Sequence, residues 1–391
     1  MPLTVSVGQA FSVEGRQAVT QAIYDALVKI ESEPVALGFI IASSEYDFQE
    51  VIKGAVTQLG NTPLIGFSAS GEITNEGSHR RSVVAALLAG EGLESRAEWL
   101  PDFSENSQKV TQQMTKILEL NNIVKGALFL VADGFGGDCD SLVNSLPKGE
   151  YWFAGCQAGG DLRLGRTYQI GGDKAGSGGL AGAFLSCENV RFGVGAAHGW
   201  QPVGASFKVT GASGFLVRAL DGRPAAESYA NLFGRKARDW AIPPLNNLVR
   251  LYPLGIEQEG DLPLLVRTPL KFEVDGSLRM SAEVPDGATC HLLVGGTESC
   301  LEAARRAAGD ALQALGSATP KLALVFADIS WEMLLKSQPG SEVEAIREVL
   351  GKDIPIAGGY TFGQLVHLEG APHPEFLNQH IEVVVIGEEE K

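Results

Sequence analysis

The feature that most constrains the fold is a short sequence frame that occurs three times. Each occurrence follows an apolar run of strand type and consists of glycine, four residues, glycine, a polar acceptor, and then Ile or Leu. The three frames are Gly66 to Ile73, Gly155 to Leu162 and Gly358 to Leu365. Three matches in the same local context indicate an internal repeat, whereas one match alone would carry little weight.

The segments around the frames repeat as well. An apolar strand and a helix precede each frame, and a second apolar run follows it. The apolar residues from Phe48 to Leu59 have helical spacing, and Ser341 with Glu344 predicts a capping box. The sequence therefore predicts an α/β fold with two duplicated lobes of mixed β-sheets, flanked by helices and built from repeated β-α-β-β units.

The beginnings of the first and third copies are also alike. Residues 5–27 and 291–312 both have the form of a strand followed by a helix, which suggests two duplicated lobes. Between them, residues 196–280 predict a hairpin followed by a helix from Pro224, which suits the first turn of a helix. We expect two domains, residues 1–200 and residues 201–391.

Charge and cysteine content narrow the function. The chain of 391 residues has 31 Lys and Arg against 47 acidic residues, a formal net charge of −16. Such a surface repels nucleic acid and anionic membranes, so a small-molecule signal or a protein partner is expected. Five cysteines without Cys-x-x-Cys spacing favour reduced thiols in the cytoplasm. No apolar run approaches the roughly 18 residues that span a bilayer, and the first residues do not resemble a signal peptide. We expect a cytoplasmic protein without membrane insertion.

Signatures of catalysis are missing from the sequence. It contains no Gly-x-Ser-x-Gly elbow and no His-Glu-x-x-His motif. We therefore predict that the protein is not an enzyme. An enzyme that holds its substrate in the glycine loops remains the alternative.

Four ordered segments resemble the signatures of the FIST (F-box and intracellular signal transduction) sensory proteins. They are IGFSASGEI, AGCQAGGDLRLGRTYQI, GVGAAHGWQPVGASFKVT and IAGGYTFGQL. One departure is Gly363-Gln364, where the family often has Gly-Glu, so a charged contact there is not expected. The resemblance covers nearly the whole chain and implies a FIST N-type domain over residues 1–200 and a FIST C-type domain over residues 201–391.

The resemblance also implies a function. FIST proteins are ligand-binding sensors of prokaryotic signalling, and here the signal would pass to a separate protein. That partner would be a histidine kinase of two-component signalling, or a diguanylate cyclase or phosphodiesterase. One branch of the family binds haem b and senses nitric oxide, which is the first specific prediction. A sensor for an amino acid or another small organic ligand is the second, and a homodimer is left open.

The loops supply most of the candidate ligand-binding residues. Glycines at strand ends expose backbone N–H groups, and the neighbouring side chains offer acceptors and hydroxyl groups. Arg163, just past the second loop, could pair with a carboxylate or a haem propionate. The alternative is that the glycines only permit tight turns. The candidates are Ser68, Ser70, Gly71, Glu72, Gly160, Asp161, Arg163, Tyr360, Thr361, Gly363 and Gln364.

His198 is the predicted haem ligand among the six histidines. Small residues flank it, which would let a flat macrocycle approach, and Trp200 is adjacent. The alternative is a buried histidine bonded to backbone. His367 is the second candidate, and Asp133 and Asp328, which end apolar strands, either face a cleft or cap the next turn.

Overall fold

The computed structural model separates into two compact units. Within the described residues, unit 1 comprises the chain up to 197, residues 301–376 and the chain from 380, and unit 2 comprises residues 198–300 and 377–379. The described residues are 3–30, 33–120, 125–147, 149–186, 188–258, 260 and 263–389. The predicted α/β class, with mixed sheets flanked by helices and built from repeated units, is confirmed.

The first copy of the repeat covers residues 4–89. Its elements are β1 (Thr4–Phe11), α1 (Gly15–Leu27), β2 (Val35–Ser43), α2 (Phe48–Leu59), β3 (Leu64–Ala69), β4 (Glu72–Thr74), β5 (Gly77–His79) and β6 (Ser82–Ala89). Strand β6 pairs antiparallel with β1 and β2, and β2 pairs parallel with β3. Every residue of β6 is buried, because α1 and α2 cover one face of the sheet and other parts of unit 1 cover the second.

The second copy covers residues 94–186 and has the same strand order. Its elements are β7 (Glu94–Leu100), α3 (Ser107–Leu120), β8 (Lys125–Ala132), α4 (Cys139–Asn144), β9 (Glu150–Gln157), β10 (Gln169–Gly171), β11 (Lys174–Gly176) and β12 (Leu180–Ser186). The sheet order β7-β12-β8-β9 reproduces β1-β6-β2-β3 with the same strand directions. The sequence repeat is therefore a structural repeat.

The third copy begins with β13 (Val190–Ala197), and the chain then forms unit 2. The elements up to residue 295 are β14 (Trp200–Ser213), β15 (Leu216–Leu220), β16 (Arg223–Pro224), α5 (Ala225–Asn231), α6 (Ala237–Trp240), α7 (Leu245–Leu248), β17 (Leu254–Ile256), β18 (Leu265–Arg267), β19 (Pro269–Phe272), β20 (Leu278–Met280) and β21 (Thr289–Gly295). The predicted hairpin and the helix after Pro224 are both present, as β14–β15 and α5. Tyr229, Trp240 and Phe272 form the aromatic centre of its core.

The third copy resumes with the helix α8. Its remaining elements are α8 (Thr297–Leu315), β22 (Thr319–Asp328), α9 (Ile329–Leu334), α10 (Ser341–Leu350), β23 (Ile356–Thr361), β24 (Gly363–Val366), β25 (Glu375–Leu377) and β26 (Ile381–Glu388). The sheet order β13-β26-β22-β23 matches the other two copies. The prediction that residues 291–312 open this copy is therefore half right. Helix α8 belongs to it, but β21 pairs with β14 and β17, and β13 is the first strand.

Each copy lends strands to the sheet of another copy. Strands β4 and β5 of the first copy extend the third sheet from β23, and β10 and β11 of the second copy extend the first sheet from β3. Strand β24 of the third copy pairs with β9 of the second. The exchange is cyclic, so no sheet of unit 1 is complete within its own copy. We call β4–β5 the exchanged hairpin.

Glycines bring the first helix close to the first strand in two of the three copies. A Cβ atom on Gly8 would be 2.1 Å from the Ala22 carbonyl oxygen, and one on Gly195 would be 2.1 Å from that of Ala307. Strand pairing places Glu98 at the equivalent position of the second copy, where it is exposed. The charged Glu98 can be accommodated because its side chain on β7 is exposed to solvent and is not covered by a helix.

Two smaller predictions about helices are settled by the described residues. Helix α2 has the predicted bounds and is capped by Asp47. The predicted capping box is wrong: Gly340, in a left-handed conformation with φ 79°, precedes α10, and Ser341 Oγ has no partner among the described residues. The residue that precedes α10 therefore has a positive φ, which suits glycine, and no side chain caps the start of this helix.

Cys139, Cys156, Cys290 and Cys300 are buried free thiols, as expected for reduced cysteines, and Cys187 lies outside the described residues. In the described part of the chain, no helix has both the length and the apolar character that crossing a membrane requires.

Candidate functional site

The three frame loops meet inside unit 1. Ser68 Oγ donates to the Gly159 carbonyl oxygen (2.7 Å), and the Gly159 N–H donates to the Ser68 carbonyl oxygen (2.8 Å). The Ser70 N–H donates to the Tyr360 carbonyl oxygen (3.2 Å), which joins the first loop to the third. The Phe362 N–H donates to the carbonyl oxygen of Gln157 in the second frame (3.1 Å), which joins the third loop to the second. Each loop is thus bonded to both others.

The first glycine of each frame is structural. A Cβ atom at Gly66, Gly155 or Gly358 would lie 2.0 Å from a carbonyl oxygen of the neighbouring parallel strand. No other residue fits such an approach without a backbone shift. The alternative reading, that glycine serves backbone geometry, is therefore correct at these three positions.

The polar acceptor of the second loop is not the residue that the frame predicts. Strand pairing aligns Glu72 with Gly359, Gln364 with Cys156, and Gln169 with Phe67, which are equivalent places in the three sheets. Gln169 is therefore the counterpart of Glu72 and Gln364, and Asp161 is not. Additional residues between Asp161 and Gln169 displace the acceptor from the frame spacing.

These three side chains lie on the strands that each copy lends, and each forms a hydrogen bond within its own copy. Glu72 Oε2 accepts from the Ser82 N–H and Oγ (2.9 Å each), and Gln169 Oε1 accepts from the Gly179 N–H (2.9 Å). The Gln364 amide nitrogen donates to the His380 carbonyl oxygen (3.2 Å). In every copy this bond reaches a residue at or just before the start of the last strand of that copy, which is β6, β12 or β26. All three side chains are fully buried, so they stabilise the fold rather than face solvent.

Glu72 differs from its counterparts because it can carry a charge. Burial raises its pKa to about 8, although the two hydrogen bonds from Ser82 act in the opposite direction. Its Oε1 has no partner among the described residues. The carboxyl group is therefore mostly protonated at neutral pH.

Asp161 and Arg163 form an exposed ion pair. The Asp161 N–H donates to Ser44 Oγ (2.9 Å), and its carboxylate accepts from Arg163 Nε (2.9 Å), which lowers the pKa of Asp161. Gly160 packs against Ser44, where a Cβ atom would be 2.9 Å from Ser44 Cβ. Arg166 lies over the Tyr168 ring at 5.6 Å. Both arginines thus have local partners.

A cavity of about 290 Å³ opens beside the first and third loops. We call it the Tyr360 cavity. Its walls come from the exchanged hairpin of the first copy, and from β23, α9 and the α9–α10 connection of the third. Its lining residues are Gly71, Ser78, His79, Arg80, Glu332, Leu335, Lys336, Pro339 and Tyr360. Two of the predicted ligand-binding residues, Gly71 and Tyr360, are among them.

A carboxylate occupies the polar side of this cavity. Glu332 Oε1 accepts from Arg80 Nε (2.7 Å) and Nη2 (2.5 Å). Glu332 Oε2 accepts from Ser70 Oγ (2.6 Å). The predicted loop residue Ser70 therefore contacts the cavity through Glu332. His79 Nε2 is buried and has no hydrogen-bond partner among the described residues.

A second carboxyl group lies behind the Tyr360 ring. The Tyr360 hydroxyl donates to Glu342 Oε1, and both side chains are buried. Burial raises the pKa of Glu342, and burial together with the Glu342 carboxyl group raises that of Tyr360. Among the charged groups that line the cavity, the two cations Arg80 and Lys336 outnumber the one carboxylate, Glu332.

The remaining candidate residues of unit 1 have structural contacts. Thr361 Oγ1 donates to the Ala327 carbonyl oxygen (3.2 Å), and His367 Nε2 lies 3.0 Å from the Ala371 carbonyl oxygen. Gly363 begins β24. Asp133 Oδ2 accepts from the Phe135 N–H (3.1 Å) in the turn after β8, and Asp328 caps α9 through the Ser330 N–H (2.9 Å). Both aspartates thus fit the capping alternative.

His198 and Trp200 belong to unit 2. The Trp200 N–H donates to His198 Nδ1 (3.2 Å), and the buried Trp200 indole donates to the Leu251 carbonyl oxygen (3.2 Å). A neutral imidazole that accepts at Nδ1 carries its proton on Nε2. Iron ligation through Nε2 would require that proton to move and this bond to break. The role of His198 as a haem ligand stays a prediction. No cluster of three or more metal-ligating side chains occurs within the described ranges.

The repeated α/β units, with three glycine loops joined in one place, define a protein built from three copies of one α/β repeat. The sequence matches the FIST N domain over residues 36–223 and the FIST C domain over residues 225–367. Together the two matches cover most of the chain, which therefore belongs to the FIST family. FIST domains are sensory, ligand-binding domains of signal transduction. The domain boundary at residue 200 stays a prediction.

Known structures are only distantly similar. A cyanuric acid hydrolase from A. caulinodans is 9% identical with a TM-score of 0.37, and a further cyanuric acid hydrolase is 8% identical with a TM-score of 0.32, each over 100% of both chains. T. maritima PurL complexed with ATP is 9% identical over 99% of this chain and 72% of that chain, with a TM-score of 0.24. A comparison with curated proteins found no match.

Proposed function

We propose that the protein senses a small organic ligand, such as an amino acid or an organic acid, and binds it in the Tyr360 cavity. The observation that carries the proposal is the lining of this cavity, which combines Arg80, Lys336 and His79 with the apolar side chains of Leu335 and Pro339. Ligand pockets typically combine an apolar wall with a few polar groups that fix orientation. A volume of about 290 Å³ suits a ligand of amino-acid size rather than a haem.

The position of the cavity supports a sensory role. Its walls belong to two different copies of the repeat, because the exchanged hairpin meets α9 there. A ligand that contacts both walls changes the free energy of one arrangement of the hairpin against α9 relative to another. Such a change could be transmitted to a separate output protein. A histidine kinase, or a diguanylate cyclase or phosphodiesterase, remains the predicted partner, and the cytoplasm the predicted compartment.

Calorimetric titration with amino acids and small organic acids tests the proposal. We expect at least one to bind, and Lys336→Ala to weaken its binding, because Lys336 lines the cavity. The matched control is Lys352→Ala, which removes an exposed lysine outside the lining. Equal affinities for both variants would place the ligand elsewhere. Turnover of the bound compound would instead support the alternative of an enzyme.

Haem-based nitric oxide sensing rests on the resemblance alone and stays a prediction.

A further inference from the structure

We infer that the ligand of the Tyr360 cavity is a small carboxylate and that Glu332 is its built-in competitor. This inference rests on the proposed function and specifies both the ligand class and its regulation. In the free protein, the Glu332 side chain occupies the groups that would otherwise bind the carboxylate of the ligand.

The contacts of Glu332 define an anion-binding site. One oxygen accepts from two nitrogens of Arg80, and the other accepts from Ser70 Oγ at 2.6 Å. A free carboxylate presents two oxygens with the same spacing, so it can replace Glu332 atom for atom. Arginine and hydroxyl donors are common partners of carboxylates because charge-assisted hydrogen bonds are strong.

Exposure favours exchange at this site. The Arg80 side chain is 75% exposed, whereas that of Glu332 is 14% exposed. An incoming anion can therefore reach the guanidinium from solvent. The incoming carboxylate makes the same charge-assisted hydrogen bonds that Glu332 gives up, so the replacement does not leave Arg80 without a partner. Burial raises the pKa of the nearby Glu72 to about 8 and also raises that of Glu342, which disfavours their charged forms.

A new partner for the displaced Glu332 side chain lies nearby. Lys336 follows just beyond the end of α9 and lines the same cavity. The released carboxylate can thus meet an ammonium group without leaving the cavity. Glu332 would then have two alternative partners, Arg80 in the free state and Lys336 in the bound state.

The exchange would break one link between two copies. Arg80 follows the exchanged hairpin of the first copy, and Glu332 lies on α9 of the third. Asn75 still holds the turn of the hairpin, because it bonds to the Ile354 carbonyl oxygen (2.8 Å) and the Ile356 N–H (2.7 Å). Ligand binding would therefore free the Arg80 end of the hairpin from α9 while its turn stays fixed.

The experiment compares acetate and L-lactate with acetamide and lactamide, their neutral counterparts, by calorimetric titration. We expect the carboxylates to bind and the amides not to bind. Glu332→Gln should bind the carboxylates roughly tenfold more tightly, because a charged competitor for Arg80 is removed. Arg80→Gln should weaken binding by at least roughly tenfold. Glu344→Gln, which removes an exposed glutamate on α10, is the matched control and should change nothing.

The outcomes separate this inference from the proposed function. If carboxylates bind but Glu332→Gln binds them equally or more weakly, Glu332 is no competitor, and the sensory proposal stands. Should the amides bind as well as the acids, the ligand class is wrong while the cavity remains a binding site. If neither parent protein nor Glu332→Gln binds a carboxylate, the inference is overturned, and the wider ligand panel then decides the proposed function. Glu332→Gln retains hydrogen-bonding capacity, so the test does not depend on Arg80→Gln folding.

Discussion

Gly8 on β1 lies so close to α1 that a Cβ atom there would be 2.1 Å from the Ala22 carbonyl oxygen. We therefore expect Gly8→Ala to lower the free energy of unfolding by roughly 2–3 kcal/mol, since strand and helix must move apart. Gly309→Ala is the matched control, because no atom would lie within 4 Å of a Cβ atom at this position of α8. That change should raise stability by up to about 1 kcal/mol. Urea unfolding measures both, and equal effects would contradict the close contact.

Stability should depend on pH through Glu72. Its pKa is about 8 in the folded protein against an ordinary value of 4.5, so the folded state keeps a proton that the unfolded state releases. The stability that this proton contributes is present below about pH 4.5 and is lost as the pH rises to about 8, by at most about 1.4 kcal/mol per pH unit.

Replacing Glu72 by glutamine should remove this contribution. Glu72→Gln installs the residue that the other copies have at positions 169 and 364, so the fold should tolerate it. We expect a flatter pH dependence of stability and a more stable protein above pH 8. The control is Glu76→Gln, which changes an exposed glutamate of the hairpin turn. If the free energy of unfolding changed with pH in the same way for the parent protein and for Glu72→Gln, Glu72 would be ionised when buried. The comparison isolates Glu72 because Glu342 and Glu382, whose pKa values are also raised, remain.

The turn of the exchanged hairpin should depend on Asn75. Asn75→Ala removes the hydrogen bonds to the Ile354 carbonyl oxygen and the Ile356 N–H, and should cost about 1–3 kcal/mol. Limited proteolysis should then cleave near residues 74–77 sooner. Asn144→Ala serves as the control, because its bond to the Asp140 carbonyl oxygen is exposed. If the hairpin resisted cleavage equally in both variants, β4 and β5 would stay paired with the third sheet without the hydrogen bonds of Asn75.

An absorption spectrum tests the haem prediction. If the protein binds haem through His198, protein produced with a haem supply has a Soret band that His198→Ala removes, since a neutral nitrogen donor is lost. His373→Ala, in a turn away from the predicted ligand, is the control. A spectrum unchanged by His198→Ala rules out this ligand and makes His367→Ala the next variant. The absence of any Soret band in the parent protein would exclude the haem form under these conditions.

The repeat and its elements were predictable because they depend on local patterns. Apolar runs and helical spacing located α2, and glycines at strand ends located the three loops. The equivalence of Gln169 was missed because extra residues in the second loop break the frame spacing. The sequence signal was still present, since Gln169-Ile170 resembles Glu72-Ile73 and Gln364-Leu365 and likewise precedes a strand pairing.

The cavity could not be predicted in the same way. Arg80 and Glu332 are 252 residues apart in the sequence and meet only because a hairpin is exchanged between copies. The polar segment from Gly77 to Ser82 indicates a surface turn, and nothing local reveals that α9 covers it. In the same way, β13 and β21 are both strand-like runs before α8, and only their pairing shows which one belongs to the third copy.

The cyclic exchange of strands also bears on how the chain is made. During synthesis, the first copy leaves the ribosome with the edge of β3 waiting for β10, and with β4 waiting for β23 far downstream. Strand β13 likewise waits through the whole of unit 2 for β26. Unpaired edges of this kind are sites of aggregation. Nascent chains that stall before β23 should therefore need chaperones, and removing any one copy would leave one remaining sheet with an open edge and the other remaining copy with lent strands that have no sheet to join.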